Sequence, residues 1–177
     1  VFAAVTDPVA AKLVSSWKAS GTNVTGVSDM LSLPPQIDLI EKVKPGAKRI
    51  GMVYSPGEVN SVTVARELKA ELAKRNMTLV EAAAPRTVDV APAAKSLVGK
   101  VDAIYTSTDN NVVSTYESLV RVATDAKIPL IAADTDSVKR GAIAALGMNY
   151  YDMGRQTGKI VVRILKGEKA GDIAPQL

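Results

Sequence analysis

Short apolar runs alternate with longer amphipathic stretches along the chain, a pattern typical of α/β proteins. The apolar runs predict strands at 1–5, 24–27, 49–54, 78–82, 101–107, 128–133 and 142–146. The amphipathic stretches predict helices at 8–18, 36–43, 61–76, 90–97, 110–127 and 152–166, and a turn at 137–141. Because helices of about ten residues or more separate most of the strands, we expect right-handed crossovers and a parallel sheet.

Two interruptions of this pattern predict a division into lobes. Residues 28–33 lack a clear period and are followed by two prolines, and 147–149 separate the last strand from the last helix. We therefore assign 1–28 to part of lobe 1, 29–35 to a hinge linker and 36–146 to lobe 2. A second hinge linker at 147–149, a helix at 150–168 returning to lobe 1, and a crossing segment at 169–177 complete the assignment. Two strands in 1–28 cannot form a core alone, so we expect the beginning of lobe 1 to precede Val1.

Polar residues directly follow three of the predicted strands. VFAAV is followed by TDP, AIYTS by TDN, and PLIAA by DTD. Ligands of open α/β sheets bind at the carboxyl ends of parallel strands, so these junctions predict one small-molecule site built from several loops. The same residues are also good helix caps, and the two roles are compatible.

Composition excludes several classes of function. The net charge is only +4, and its basic residues are scattered among acidic ones without a basic block, so we expect no nucleic-acid partner. The chain has no cysteine or histidine, which excludes disulfides, the usual zinc sites, cysteine nucleophiles and histidine-based triads. Asp134 and Asp136 could suggest a metal site, but their spacing favours a cap and a turn. We therefore predict no catalytic residue, no metal and no cofactor, and a protein that is not an enzyme.

Motifs along nearly the whole chain resemble one family. The segments VFAAVTDPVAAKLV, NVTGVSD, KRIGMVYSPGEVNSV, VDAIYTSTDNNVV, PLIAADTDSVKRGAIAALG and YYDMGRQTGKIVVRILKGEKAGDI are similar to ABC transporter substrate-binding proteins of the tryptophan/tyrosine type. The resemblance implies a type I periplasmic-binding-protein fold, with two doubly wound parallel-sheet lobes joined by hinge linkers and the first lobe incomplete here. It also implies capture of a small molecule, in known cases an aromatic amino acid, and delivery to a membrane permease.

The chemistry of an amino acid selects candidate residues at the strand ends. Its ammonium requires carboxylates, which Asp7, Glu58, Asp109, Asp134 and Asp136 offer. Its carboxylate requires N–H and hydroxyl donors at a helix start, which Asn60, Ser61, Asn110 and Asn111 offer, with Asn60 or Ser61 as the expected cap of the helix at 61–76. The complete set of predicted ligand-binding residues is Asp7, Tyr54, Glu58, Asn60, Ser61, Thr108, Asp109, Asn110, Asp134 and Thr135.

These observations together predict a periplasmic or extracytoplasmic solute receptor of an ABC importer. It would hold an aromatic or large apolar amino acid in an inter-lobe cleft and pass it to permease subunits. The alternative within the same fold is the effector-sensing domain of a transcriptional repressor. Two further classes are a surface lipoprotein adhesin and an α/β enzyme. The sequence ahead of Val1 would distinguish receptor, repressor and adhesin, whereas an enzyme would show turnover, for which the chain offers no catalytic constellation.

Overall fold

The computed structural model describes all 177 residues and divides them into two compact units. The first unit comprises Val1–Leu31 and Met148–Leu177, and the second comprises Ser32–Gly147. The borders lie within the segments 29–35 and 147–149 that the sequence analysis interprets as linkers. Their action as hinges stays a prediction. None of the helices combines the length and the apolar character needed to cross a bilayer.

The second unit is built on a five-stranded parallel sheet, which confirms the predicted α/β class and strand count. The strands lie in the order β4-β3-β5-β6-β7. They are β3 (Arg49–Tyr54), β4 (Thr78–Ala83), β5 (Ala103–Thr106), β6 (Leu130–Ala132) and β7 (Ala144–Ala145). The central strands β5 and β6 are buried along their whole length, which explains why they read as continuous apolar runs.

Helices connect successive strands and pack in two groups, α1 with α2 and α3 with α5. They are α1 (Leu33–Val43), α2 (Val59–Ala73), α3 (Val90–Leu97), α4 (Asn110–Ser114), α5 (Tyr116–Asp125) and α6 (Asp136–Lys139). One apolar cluster joins α3, α4 and α5 to the sheet, with Leu97, Ile104 and Leu119 among its buried members. This core fixes the carboxyl ends of β3, β5 and β6 at a common edge.

The first unit contains a short two-stranded parallel sheet and one long helix. Strand β1 (Phe2–Ala3) pairs with β2 (Gly26–Val27), not with β3. Helix α7 (Tyr150–Leu165) packs on both strands, begins after the side-chain cap of Asn149 and ends before Gly167, whose φ is +101°. Val27, Met153, Ile160 and Ile173 form a buried apolar cluster there.

Several predicted elements are wrong in detail. Residues 8–18 form turns instead of a helix, because Lys12 adopts a left-handed φ of 59° that a helix does not accommodate. Helix α1 begins at Leu33 and not at 36, since its two prolines fit a first turn, so 33–35 are helical. The strands at 1–5, 101–107, 128–133 and 142–146 are shorter than predicted.

The two helical predictions around Thr115 and Ser137 also need correction. The helix predicted at 110–127 is two helices, because the hydroxyl of Thr115 donates back to the carbonyl of Asn111 at 2.9 Å and its φ of −126° leaves the helical region. The turn predicted at 137–141 is the short helix α6 followed by Gly141, whose φ is +123°.

Candidate functional site

The loops that follow β3 and β5 meet at the carboxyl edge of the second unit's sheet. Because β3 and β5 are parallel neighbours, loop 55–58 and loop 107–109 lie side by side. The structure brings together six residues that the sequence analysis selected from these loops and the helices behind them, namely Glu58, Asn60, Ser61, Thr108, Asp109 and Asn110.

Glu58 lies at the centre of the outer part of this cluster. Its Oε2 accepts from the backbone N–H of Asn110 at 3.1 Å, from Asn110 Nδ2 at 2.8 Å and from Asn60 Nδ2 at 3.4 Å. Asn60 Nδ2 also donates to the carbonyl of Thr108 at 3.3 Å. These bonds tie the start of α2 to the start of α4, and Glu58 itself is only half-buried.

The predicted helix cap at Asn60 or Ser61 is wrong. Helix α2 begins at Val59, so both residues lie inside its first turn, and Glu58 holds the N-cap position without accepting from a backbone N–H of its own helix. The carboxylate of Glu58 instead reaches the first N–H of α4, a helix distant in sequence. The positive end of a helix favours a carboxylate, so the contact stabilises both partners.

Asp109 is the buried part of the cluster. Its Oδ2 accepts from the backbone N–H of Ser55 at 2.7 Å and from Ser61 Oγ at 2.6 Å, and its Oδ1 accepts from the backbone N–H of Val112 at 3.0 Å. The side chain caps α4 and is fully buried. Asp109 and Ser61 therefore bind each other, and this geometry favours a positioning role for them over direct contact with a ligand.

Asp134 and Thr135 lie on the next loop, after β6. Asp134 Oδ1 accepts from the backbone N–H of Ser137 at 2.9 Å, and its Oδ2 accepts from Ser137 Oγ at 2.6 Å. Asp134 thus fixes the start of α6, while Thr135 and Asp136 are exposed. The structure places this pair after the strand beside β5 and outside the Glu58 cluster's hydrogen bonds.

Tyr54, which the sequence analysis selects as a ligand-binding residue, bonds to a side chain of the neighbouring strand β4. Its hydroxyl donates to Glu81 Oε2 at 2.9 Å, and Glu81 Oε1 also accepts from Lys69 of α2 at 3.1 Å. Tyr54 is in register with Ala83, so reaching Glu81 tilts the ring back from the carboxyl edge. Burial, followed by the bond to Glu81, raises the pKa of the Tyr54 hydroxyl.

Asp7 belongs to the first unit, where it stabilises a turn. Its Oδ1 accepts from the backbone N–H groups of Val9 and Ala10, both at 3.0 Å. This is the capping role that the sequence analysis weighed as the alternative to ligand binding, although no helix follows.

Sequence reasoning missed several polar residues near the same edge. Ser55 contributes the N–H that Asp109 binds, and Ser137 holds Asp134. Ser107 is buried, and its hydroxyl oxygen has no hydrogen-bond partner. The buried hydroxyl of Tyr116 lies 3.2 Å from Thr106 Oγ1, and burial raises its pKa. The three serines lie within a few residues of a predicted strand end, which is the signal that could have identified them.

Comparisons with known proteins match this chain over its full length. Residues 1–177 match the family model described as ABC transporter substrate binding protein. A tyrosine-binding protein from Clostridioides difficile is 40% identical over 173 residues, which cover 98% of this chain and 50% of that protein. The chain therefore spans about half the length of the curated relatives it matches.

Solved structures give the same result. A conserved domain protein from Vibrio cholerae matches with a TM-score of 0.95 and 44% identity, covering 99% of this chain and 60% of that one. An ABC domain from Streptococcus pneumoniae in complex with L-Trp matches with a TM-score of 0.93 and 37% identity, covering 98% of this chain and 59% of that one.

Proposed function

The chain belongs to the ABC transporter substrate-binding protein family, and from that premise we propose that it is the solute receptor of an amino-acid importer. Its ligand is an aromatic or large apolar amino acid. The observation that carries this proposal is the joined cluster of Glu58, Asn60 and Asn110 at the carboxyl edge of the sheet, in a chain whose relatives include a tyrosine-binding protein and an L-Trp complex.

The cluster suits the head of a free amino acid. Charge-assisted hydrogen bonds contribute about 1.5–3 kcal/mol each, so a few of them hold a charged group of the ligand firmly. We propose that Glu58, Asn60, Thr108 and Asn110 form the ligand subsite, in which Asn60 and Asn110 hold Glu58, while Ser61 and Asp109 hold the two loops in place. Asp7, Asp134 and Thr135 complete the proposed set, and the family match favours a receptor over a repressor's effector domain or an enzyme.

Isothermal titration calorimetry of the full-length protein against the twenty amino acids tests the ligand class. We expect binding of tyrosine, tryptophan or another large apolar amino acid and no binding of aspartate or lysine. Absence of heat across the whole panel, together with binding of a sugar or a purine, would exclude an amino-acid ligand and leave the receptor class intact.

Delivery to a permease requires its own test. We propose that the protein is extracytoplasmic and docks on the membrane subunits of an ABC importer. In vesicles that contain the importer, the ligand-loaded receptor should increase ATP hydrolysis above the level seen with the ligand alone. Equal rates with and without the receptor would contradict the proposed partnership.

A further inference from the structure

The donors that would suit a ligand's carboxylate are already bound to a carboxylate of the protein. Glu58 Oε2 accepts from both nitrogens of Asn110 and from Asn60 Nδ2, at 2.8–3.4 Å. Asn60 and Asn110 are two of the residues that the sequence analysis assigned to the ligand's carboxylate. The structure therefore gives them a different task, which is to hold Glu58.

This arrangement orients Glu58 without neutralising it. The N–H groups from which it accepts belong to uncharged amides, so they place no positive charge beside the carboxylate. All of these bonds converge on Oε2, which leaves Oε1 as the oxygen able to accept from a ligand. A half-buried carboxylate held in this way attracts a cation and repels an anion.

From this geometry we infer that the Glu58 cluster is the ammonium subsite and determines specificity for ligands with a primary amine. The inference rests on the proposed function, because it specifies which end of an amino acid this edge of the sheet takes. The carbonyl oxygen of Thr108 is a second acceptor beside Glu58, because the same Asn60 Nδ2 donates to it at 3.3 Å. A carbonyl oxygen has two lone pairs and can accept a further bond from the ligand. The ligand's carboxylate then binds elsewhere.

The other two candidate carboxylates on this unit's strand-end loops with bonded side chains, Asp109 and Asp134, are less suited to this role. Asp109 is fully buried, and bonds from Ser55, Ser61 and Val112 engage both of its oxygens. Both oxygens of Asp134 are engaged by Ser137. Glu58 combines partial exposure with one oxygen that its fixed bonds do not use.

The opposite orientation predicts the opposite effect of removing the charge. If a ligand's carboxylate used the N–H groups of Asn60 and Asn110, Glu58 would compete with it and repel it. Glu58→Gln would then tighten binding of the amino acid. If Glu58 binds the ammonium, the same substitution weakens binding, because a charge-assisted bond becomes a neutral one.

Calorimetry of the full-length wild type and Glu58→Gln against L-tyrosine, tyramine and 3-(4-hydroxyphenyl)propionate separates these two orientations. We expect Glu58→Gln to weaken L-tyrosine and tyramine by about 10- to 100-fold. The deaminated acid should change by less than about twofold or bind more tightly, and Glu58→Asp, which keeps the charge, should retain more affinity than Glu58→Gln. Tighter or unchanged L-tyrosine binding in Glu58→Gln, or an equal loss for all three probes, would overturn the inference.

Glu67→Gln, later on the same helix α2 and paired with Arg66 at the surface, is the matched control and should leave all affinities unchanged. Thermal unfolding followed by circular dichroism checks that each variant is folded. If the wild type binds no amino acid, the proposed function fails independently. Tyramine binding that Glu58→Gln removes would then still support the ammonium subsite, and absence of tyramine binding would refute it.

Discussion

At the scale of single residues, Asp109 is important for the stability of the fold. It is fully buried, and it joins the loop after β3, the first turn of α2 and the start of α4 through Ser55, Ser61 and Val112. A buried charge with several well-formed donors is costly to remove, because the donors then lack a partner.

We therefore expect Asp109→Ala to lower the free energy of unfolding by about 2–4 kcal/mol. Urea denaturation measures this value, and Asp136→Ala, whose side chain is 85% exposed, is the control and should change stability by less than about 0.5 kcal/mol. An affinity loss in Asp109→Ala without any change in stability would mean that Asp109 is a ligand contact and not a positioning residue.

Asp102 connects the amino ends of β3 and β5. Its contacts lead us to expect that the stability of the protein depends on pH. It accepts from Arg49 Nη2 and from the backbone N–H groups of Lys48 and Arg49 at 2.8–2.9 Å. The guanidinium of Arg49, followed by the N–H of Lys48, lowers the pKa of Asp102 from 3.8 to about 2. The folded state thus favours the charged form of this carboxylate.

Because this pKa is lowered on folding, the contribution of Asp102 is fully present above pH 3.8 and is lost as the pH falls through about 2. At neutral pH we expect Asp102→Asn to be less stable than the wild type by about 1 kcal/mol, a value kept small because Arg49 is exposed to solvent. The difference should shrink in acid when urea unfolding is repeated over a pH series. Asp125→Asn at the exposed end of α5 is the control, and a constant difference in acid would contradict the assigned pKa.

At the scale of elements, Gly51 explains how closely α3 approaches the sheet. It lies in the middle of β3, and a Cβ atom there would meet Leu97 Cδ1 at 2.9 Å and Val101 Cγ1 at 3.2 Å. The absence of a side chain at Gly51 therefore allows Leu97 to pack directly on the strand.

We expect Gly51→Ala to destabilise the protein by about 1–3 kcal/mol through overpacking. The contrasting control is Gly154→Ala in α7, where a Cβ atom meets nothing within 4 Å and the gain in helix propensity should stabilise by about 0.5–1 kcal/mol. Thermal unfolding of both variants should show a lower melting temperature for Gly51→Ala and a higher one for Gly154→Ala. A neutral Gly51→Ala would show that α3 moves freely over the sheet.

The sequence predicts an element correctly where the local pattern of apolar and turn residues determines it. It fails where the backbone adopts a conformation that this pattern does not indicate. Arg49–Tyr54 and Leu130–Ala132 are apolar runs with turn residues at their ends, so their parallel pairing follows from period and connection length. The segment 8–18 has the apolar spacing of a helix, but the left-handed φ of Lys12 is a non-glycine exception that residue type does not reveal. Short strands end earlier than apolar runs because burial extends beyond the paired backbone.

The candidate site divides in the same way. That Glu58, Asn60 and Asn110 would lie together follows from topology, because parallel strands place their following loops at one edge. The direction of the bonds does not follow, since Asn110 offers donors both to a ligand and to Glu58 and only coordinates show which it uses. The tilt of Tyr54 towards Glu81 depends on the register of β4, which the sequence does not encode locally.

At the scale of the whole molecule, the two units differ in how far each can stand alone. The second unit is one continuous segment with a five-stranded sheet and its own apolar core. The first unit combines two segments distant in sequence, and its sheet consists of two strands of two residues each. A sheet this small does not provide independent stability.

We expect the fragment 32–147 to fold by itself, with a cooperative thermal transition and a well-dispersed NMR spectrum. The separate peptide 1–31 should give the spectrum of an unfolded chain, because its strands lack the α7 face that covers them. The control is a fragment that ends within β6, which removes the neighbour of β5 and should not fold. Collapsed resonances in 32–147 would show that the second unit depends on the first.

The pairing of β2 with Gln176 has a consequence for the timing of folding on the ribosome. The backbone of Gln176 bonds to Gly26 and Ser28 at 2.7–2.9 Å, so one edge of β2 receives its partner from the far end of the sequence. Translation proceeds at about 5–20 residues per second, so the 32–147 segment is complete seconds before Gln176 is made. Until Gln176 is added, this edge of β2 has no such partner, so the first unit gains part of its backbone pairing only after the whole second unit has been synthesised.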